Sequence, residues 1–325
     1  MHGKTLIRTC SIWRALEVIG DTSALLILEA SLLGARKFDD FLTATGLLRA
    51  LLSDRLKKLV ANGLVEKRLY NERPPRYEYV LTKKGRDLYP MALILLRWEI
   101  EWAKKSNGIK VELKHEICGK RFLPVPSCHN CHSSFNIGEI DWKEGPGVGW
   151  MAPIYSRRRQ QRASSEEGSR IFEQAAQLLG DRWASLIMRS IFTGIHRFEE
   201  IRQDTAIATN ILAERLAWLE DFGVVKQVQY ASAPQRFEYR TTRKGAAYFP
   251  ALLLLMEWGD KYYGSPEGPP ILLTHTVCGK SLKPEVVCSE CSVTIQARDV
   301  AFTLQIPGAR FDANPKAPNM ALSLA

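Results

Sequence analysis

Two sets of histidine and cysteine residues with identical spacing are the residues of this chain most suited to chemistry. Both sets follow the pattern His-x2-Cys-x9-Cys-x2-Cys. The first set is His115, Cys118, Cys128 and Cys131, and the second is His275, Cys278, Cys288 and Cys291. A tetrahedral zinc site takes four nitrogen and thiolate ligands, and each set offers two close pairs. The spacing therefore predicts one Cys3His site per copy and two Zn²⁺ ions per chain. Because four protein ligands leave no open position for water, both sites should be structural.

The cysteines and the neighbouring histidines allow other interpretations. A Cys-x-x-Cys pair can be a thiol redox pair, but that function needs a thioredoxin-like βαβ context, which the flanking sequence lacks. His129 and His132 could replace ligands of the first set, but serines stand at the matching positions of the second. Cys10 has an arginine as its counterpart, which leaves two alternatives open: a packed apolar residue or an accessible sensing thiol. With no Gly-rich phosphate loop and no catalytic set shared by both copies, we predict no enzymatic activity.

The metal sets belong to a repeat that covers most of the chain. At an offset of 160 residues, Gly20-Asp21 recurs as Gly180-Asp181, and Arg55-Leu56 recurs as Arg215-Leu216. Thr82-Lys-Lys-Gly likewise recurs as Thr242-Arg-Lys-Gly. One long module is therefore written twice. In each copy the pattern predicts three helices, then a further helix, a hairpin and a long helix. The three helices are predicted at 12–19, 24–33 and 38–43, and at 171–179, 184–192 and 198–203.

The stretch 49–59 is the helix around which the first copy is organised. Leu52, Leu56 and Leu59 share one face, which leaves a small, polar and basic outer face. Gly63 should end this helix in the left-handed conformation. A strand then turns through 71–76 and returns at 77–81, and the tip carries Arg73 with two prolines. Such a tip suits a wing that lies along a phosphate backbone, so the layout predicts a winged helix-turn-helix.

Taken together, these motifs resemble the HxlR family of bacterial transcription regulators. The resemblance covers residues 8–105 and 168–263. It implies a winged-helix fold, dimerisation through the first and last helices, and operator binding by the helix at 49–59 and the wing at 71–76. It also implies a sensing cysteine before the first helix, a position that Cys10 occupies. The usual member has one winged helix per chain, whereas two are fused here, so intramolecular pairing and homodimerisation both stay open.

Composition agrees with a nucleic-acid partner. The 325 residues carry a net charge of +10 and a pI near 9.3, which favours binding to a polyanion such as double-stranded DNA. Apolar runs are shorter than the roughly 20 residues of a membrane span. The first 20 residues lack the pattern of a secretory signal, so we predict a cytoplasmic protein.

The DNA contacts follow from the helix face and the wing. Residues expected at base edges are Arg49, Ala50 and Ser53, with Thr209, Asn210 and Ala213 in the second copy. Residues expected at phosphates are Lys57, Lys58, Arg73, Arg76 and Arg236. Residues 8–106 hold 18 Lys+Arg against 12 Asp+Glu, whereas residues 168–266 hold 12 against 11. We therefore predict that the first domain supplies most of the DNA affinity, while the second pairs with it through long helices at 83–105 and 243–263.

The predicted fold class is α+β, mainly helical, with two winged helix-turn-helix domains that are each followed by a small zinc-ribbon-like module. Predicted boundaries are 8–107 and 108–144 for the first copy, 145–167 for a linker, 168–264 and 265–311 for the second copy, and 312–325 for a disordered tail. The predicted function is sequence-specific transcription regulation. A tandem winged-helix replication initiator is the alternative, and a zinc or thiol redox protein is a weaker one.

Overall fold

The structure is a computed structural model that describes residues 6–102, 110–152, 173–306 and 309–313. Within the first two ranges the helices are α1 (Ser11–Ile19), α2 (Thr22–Leu32), α3 (Phe38–Thr45), α4 (Arg49–Ala61), α5 (Lys83–Arg86) and α6 (Tyr89–Trp102). The strands there are β1 (Ile7–Arg8), β2 (Val65–Glu72), β3 (Pro75–Leu81), β4 (Lys110–His115), β5 (Pro124–Cys128), β6 (Ile140–Glu144) and β7 (Trp150–Met151).

The second copy repeats this order of elements. Its helices are α7 (Glu173–Gly180), α8 (Arg182–Phe192), α9 (Phe198–Thr205), α10 (Thr209–Asp221) and α11 (Arg243–Tyr263). Its strands are β8 (Val225–Ser232), β9 (Gln235–Thr241), β10 (Ile271–His275), β11 (Lys280–Ser281), β12 (Pro284–Cys288), β13 (Val300–Ile306) and β14 (Ala309–Ala313). Of the helices in the described ranges, none has both the length and the apolar character that crossing a bilayer requires.

The described residues form two compact units, and each unit contains segments of both copies. The first unit comprises 18–102, 110–126, 173–180, 285–306 and 309–313, and so contains α2 to α6 together with α7. The second unit comprises 6–17, 127–152 and 181–284, and so contains α8 to α11 together with most of α1. The copies thus exchange their first helices and halves of their cysteine-containing segments, which a linear division of the repeat does not anticipate.

Two predicted segments are described only in part. The predicted linker 145–167 is described as far as residue 152, where Trp150–Met151 pairs with Ile7–Arg8. Its arginine run at 157–162 lies outside the described residues. Of the predicted tail 312–325, only residues 312 and 313 are described, and both belong to β14, which corrects the tail prediction for these two residues.

An aspartate–arginine pair with little solvent exposure orients α4 against α2. Asp21 caps α2 by accepting the backbone N–H of Ala24 at 2.9 Å, and its carboxylate lies 3.0 Å from the guanidinium Nε of Arg55 on α4. In the second copy, Asp181 caps α8 in the same way and lies 2.7 Å from Nε of Arg215 on α10. The recurrence of Gly-Asp and Arg-Leu in the sequence thus reflects one contact that orients the helix after the turn.

The wing hairpin is tied to the end of α4 by a threonine. Gly63 has a φ of +69°, as predicted, and its carbonyl accepts the Thr82 hydroxyl at 2.6 Å. The Thr82 side chain also accepts the N–H of Gly85 at 3.2 Å. A Cβ at Gly85 would lie 2.3 Å from the carbonyl oxygen of Leu64, so only glycine allows this approach. Thr242 makes the matching bonds in the second copy.

The helix after the wing differs between the copies. The second copy has the predicted continuous helix α11, but in the first copy the prediction of one helix at 83–105 is wrong, because α5 and α6 are separate. The break falls at Asp87 and Leu88, where the second copy has Ala247 and Tyr248. Asp87 has a lower helix propensity than Ala247, but Leu88 has a higher one than Tyr248, so propensity does not explain the break. Residues 103–105 lie outside the described residues.

Small antiparallel sheets join the two copies within each unit. In the first unit, β13 pairs with β4 and β14, and Val300 lies opposite His115. In the second unit, β10 pairs with β6 and β11, and Ile140 lies opposite His275. The strand that follows the Cys-x-x-Cys of one copy therefore pairs with the histidine-bearing strand of the other.

Candidate metal centres and nucleic-acid interface

The eight predicted metal ligands form two clusters, but the pairing differs from the sequence prediction. The first-unit cluster consists of His115, Cys118, Cys288 and Cys291, and the second-unit cluster consists of Cys128, Cys131, His275 and Cys278. The prediction that each copy supplies its own Cys3His set is wrong. The physical reason is strand pairing: β4 binds β13 and β10 binds β6, so each His-x2-Cys pair meets the Cys-x-x-Cys pair of the other copy.

The spacing of the donor atoms fits a tetrahedral metal ion. Within each cluster the ligand atoms lie within 4.8 Å of one another. With Zn–S bonds of about 2.3 Å, two thiolates of a tetrahedral site lie about 3.8 Å apart. The sulfurs of Cys118 and Cys288 are 4.0 Å apart, and His115 Nδ1 lies 3.2 Å from the sulfur of Cys291. His275 Nδ1 lies 3.3 Å from the sulfur of Cys131 in the other cluster. Three thiols and one imidazole suit Zn²⁺, and Nδ1 is the imidazole nitrogen that faces the thiols in each cluster.

Each pair of ligands lies on the same kind of tight turn. The carbonyl of His115 accepts the N–H of Gly119 at 2.8 Å, and Gly119 has a φ of +72°. The carbonyl of Cys128 accepts the N–H of His132 at 2.7 Å, and His132 has a φ of +59°. His129 and His132 are exposed and belong to neither cluster, in agreement with their rejection as ligands.

The environment of the thiols divides them into two kinds. The backbone N–H of Ser133 lowers the pKa of Cys131 to about 6, and that of Lys120 lowers the pKa of Cys118. Burial raises the pKa of Cys128, and it raises the pKa of Cys288 to about 11. Because only thiolates bind Zn²⁺, metal binding has to displace a proton from the two buried thiols.

The histidine ligands are fully enclosed. His115 and His275 are both 0% exposed, and the Nε2 atoms of both rings are buried without a hydrogen-bond partner among the described residues. Aromatic rings pack beside them instead: Phe122 lies 5.7 Å from the His115 ring and Phe135 lies 6.3 Å from the His275 ring. An apolar surround of this kind keeps water away from the cluster, which suits a structural ion.

The outer face of α4 presents the predicted base-reading residues. Arg49 and Ala50 are exposed and Ser53 is half-buried, while the opposite face buries Leu52 and Leu56 in the core. Arg49 stands at the first position of the helix, 3.2 Å from the exposed carboxylate of Asp39. The guanidinium is 73% exposed, so this contact leaves it accessible to a partner.

The wing of the first unit exposes basic side chains at its tip and on β2, interspersed with glutamates. Arg73 and Arg76 are exposed at the tip, as predicted. Lys67, which is not among the predicted DNA contacts, is also exposed and lies 3.8 Å above the ring of Tyr77 on the paired strand. The sequence signal for Lys67 was a basic residue in a predicted strand, at a position expected to face solvent.

Lys58 lies near a carboxylate of its own unit. Its ammonium lies 3.9 Å from the carboxylate of Asp21, and its side chain is only 24% exposed. Lys58 follows Lys57 in α4 and therefore points in a different direction from the helix axis, whereas Lys57 is exposed. Because Lys58 faces the aspartate–arginine pair, we expect it to contribute less to phosphate binding than Lys57, and its predicted phosphate contact stays a prediction.

The second unit presents the equivalent helix face and wing with different side chains. Thr209, Asn210 and Ala213 are exposed on α10, and Arg236 is exposed on the wing. Trp218 occupies the position equivalent to Lys58 and is half-buried, with its ring centroid 5.0 Å from that of Phe222 on the same helix. Trp218 therefore packs beside an aromatic neighbour of its own unit.

Cys10 is enclosed in the second unit. It is 1% exposed and contacts the guanidinium of Arg189 on α8, which also binds the carboxylate of Asp204. The predicted packed position is therefore observed. The thiol of Cys10 is closed to solvent in this structure. Its role as a sensing thiol stays a prediction.

Comparison with known proteins identifies the family. The family model described as HxlR-like helix-turn-helix matches residues 18–107 and 178–267. An uncharacterized HTH-type transcriptional regulator of Mycobacterium tuberculosis is 42% identical over 127 residues, which are 39% of this chain and 80% of that protein. The uncharacterized HTH-type transcriptional regulator YvaP of Bacillus subtilis is 37% identical over 92 residues, or 28% of this chain and 85% of YvaP.

A solved structure of a candidate transcription factor from Pseudomonas aeruginosa is 28% identical, with a TM-score of 0.26, and the match covers 49% of this chain and 97% of that one. The two regions matched by the family model are the two copies of the repeat, each with its winged helix. The chain belongs to the HxlR-like helix-turn-helix family of DNA-binding transcription regulators, with the family domain duplicated in tandem.

Proposed function

We propose that this protein is a sequence-specific transcription regulator that reads DNA with two different helices carried by one chain. The observation that carries the proposal is the shared construction of α4 and α10. Each helix buries a leucine face, is oriented by an aspartate–arginine pair, and exposes its first residues beside a wing that carries exposed arginine at its tip. Such an arrangement lets the N-terminal part of the helix meet base edges while the wing contacts phosphates.

The two helices differ in the bases they suit. Arginine pairs in a bidentate manner with guanine O6 and N7, which assigns a guanine to Arg49. Asparagine pairs in the same way with adenine N6 and N7, which assigns an adenine to Asn210. An operator with two unequal half-sites follows, in contrast to the palindrome that two identical helices would read.

We propose Zn²⁺ as the occupant of both clusters, with a structural role. Each cluster would hold a zinc-ribbon-like module made from both copies: β4 with β13 in the first unit, and β6 with β10 in the second. Four closed ligands leave no position for substrate or water. The ions would thereby fasten the exchanged segments rather than take part in a reaction.

The exchange of segments supports the single chain as the functional unit. Each unit takes its first helix and part of its cysteine-containing region from the other copy. In the first unit, the carboxylate of Glu99 on α6 accepts the backbone N–H of Ala175 on the exchanged helix α7 at 2.8 Å. We therefore favour intramolecular pairing over a homodimer of two chains.

Selection of random DNA fragments by the full-length, zinc-loaded protein tests the proposal. We expect a recovered site with two unlike halves, bound at least 10³-fold more tightly than a scrambled fragment at the same salt concentration. Binding of selected and scrambled fragments with equal affinity would exclude sequence-specific recognition. A perfectly palindromic site would exclude the assignment of different bases to Arg49 and Asn210.

A further inference from the structure

The residue that precedes α4 is an exposed leucine. Leu48 occupies the N-cap position: its backbone is extended, and its carbonyl accepts the N–H of Leu52 at 2.9 Å. It is 76% exposed, the largest fraction among the exposed large hydrophobic residues that the structure describes. Arg49 and Ala50, which follow it, are exposed as well. Leu48 therefore extends the predicted base-reading surface by one large apolar side chain.

A leucine at this position does not stabilise the helix. An N-cap side chain stabilises a helix when it accepts a backbone N–H of the first turn, as serine, threonine, asparagine and aspartate do. Leucine has no acceptor atom, and the side chain of Leu48 makes no capping bond. In the same chain, Asp21 caps α2 and Asp181 caps α8 through such a bond. Position 48 thus lacks a stabilising contact that the chain has at other helices.

Core packing does not explain the leucine either. The preceding residue, Leu47, is 8% exposed and belongs to the core, as does its counterpart Ile207 at 2%. The counterpart of Leu48 is Ala208, which is exposed, although α10 has the same buried leucine face as α4. The shared fold therefore uses an apolar residue at 47 and 207 but needs no leucine at 48. A residue that departs from the local preference without a gain in packing is expected at a functional site.

We propose that Leu48 is a specificity-determining residue that contacts the methyl group of a thymine in the major groove. The inference rests on the DNA-reading function proposed above and adds a second kind of base contact to it. The C5-methyl of thymine is an apolar group on the floor of the major groove, and apolar side chains are its partners. Consecutive residues lie about 3.8 Å apart and base pairs about 3.4 Å, so the thymine lies at or beside the base pair that Arg49 reads.

Replacement of thymine by uracil in the selected site tests the contact, because it removes the methyl group and leaves the hydrogen-bonding groups of the base pair unchanged. Each thymine is replaced singly, and the affinity of the full-length, zinc-loaded protein is measured at one salt concentration. Burial of one methyl group contributes about fourfold to affinity, so at least one thymine should show a loss of about twofold or more. A selected site without such a sensitive thymine would overturn the inference.

The variant Leu48→Ser assigns the methyl contact to this residue. At the sensitive thymine, the variant should bind the thymine and uracil forms with equal affinity, since serine lacks the apolar side chain. Leu123→Ser removes an exposed leucine from the metal-containing region and should retain the loss seen in the parent. If every sensitive thymine shows the same loss in Leu48→Ser as in the parent, Leu48 makes no methyl contact and the inference is overturned.

Thermal unfolding separates this role from a structural one. Because serine can accept a backbone N–H of α4, Leu48→Ser should have a Tm equal to or above that of the parent. A lower Tm would show that Leu48 stabilises the fold and would overturn the inference. Equal binding of selected and scrambled fragments by the parent would overturn the proposed function and this inference together. Sequence-specific binding without a sensitive thymine would overturn the inference alone.

Discussion

The helices α4 and α10 have the same buried scaffold and different outer faces. Leu52 in α4 and Leu212 in α10 are both 0% exposed, and both helices are held by an aspartate–arginine pair. On the outside, Arg49 is matched by Thr209, and Lys57 is matched by an alanine. Positions that fix the orientation of the helix are thus kept within the duplicated chain, whereas positions that would meet DNA have changed.

This difference has to be tested in the whole chain. Residues 1–150 and 164–325 each lack segments that complete their winged-helix unit, because the units exchange α1, α7 and the cysteine-containing strands. DNA binding measured on separated halves would therefore be that of incomplete units. Paired substitutions at equivalent positions of the full chain compare the two helices without this defect.

The largest expected effect concerns the metal pairing. Cys118→Ser with Cys291→Ser removes two ligands of one cluster, so one Zn²⁺ per chain should remain after dialysis against a chelator that leaves the parent fully loaded. Cys118→Ser with Cys131→Ser removes one ligand from each cluster, so neither ion should remain. Elemental analysis gives the zinc content. The opposite result, with the first double variant losing both ions and the second losing one, would restore the pairing within each copy.

Next come the arginines that orient the two helices. Arg55→Met and Arg215→Met should each destabilise their own helix by about 1.5 to 3 kcal/mol, because a largely buried carboxylate loses a charged hydrogen-bond partner. Hydrogen exchange of amides in α4 and α10 measures the effect locally. Arg121→Met serves as control, since this side chain is 78% exposed. Faster exchange in both helices from either variant would contradict the assignment of one pair to each helix.

A smaller effect is expected at the bases. Arg49→Ala should cost about 1 to 3 kcal/mol on the selected site and relax sequence choice at one position. Thr209→Ala should cost less, since a hydroxyl makes no bidentate pair. Arg121→Ala removes an exposed cation from the metal-containing region and controls for net charge. Binding assays on selected and scrambled DNA provide the measurement, and an equal loss on both fragments would reject base contact by Arg49.

The smallest effect separates two neighbouring lysines. Lys57→Ala should lower the slope of log affinity against log salt by about one counterion, because the exposed ammonium is free to meet a phosphate. Lys58→Ala should leave the slope unchanged, since its ammonium lies 3.9 Å from Asp21. Arg76→Ala and Arg236→Ala test the two wings by the same measurement. A change of slope with Lys58→Ala as large as with Lys57→Ala would contradict the position of Lys58.

Much of the fold could be predicted because its signals are local. Leucines at helical spacing gave the buried face of α4, Gly63 gave its end, and an alternating segment around two prolines gave the wing. The repeat at an offset of 160 residues then predicted the same elements for the second copy. The contact of Asp21 with Arg55 was visible only as two recurring dipeptides, because 34 residues separate them and nothing local relates them. The break after α5 was not predicted, because neither Asp87 nor Leu88 is a residue that stops a helix.

The sequence by itself determined the elements, the duplicated family domain and the eight candidate metal ligands, because spacing and residue type are properties of short segments. Tertiary structure decided which ligands meet. Because both copies have the same spacing, each His-x2-Cys pair has two equally suitable Cys-x-x-Cys partners. The sequence alone does not tell whether the partner lies in the same copy or in the other. Strand pairing between β4 and β13, and between β6 and β10, makes that choice.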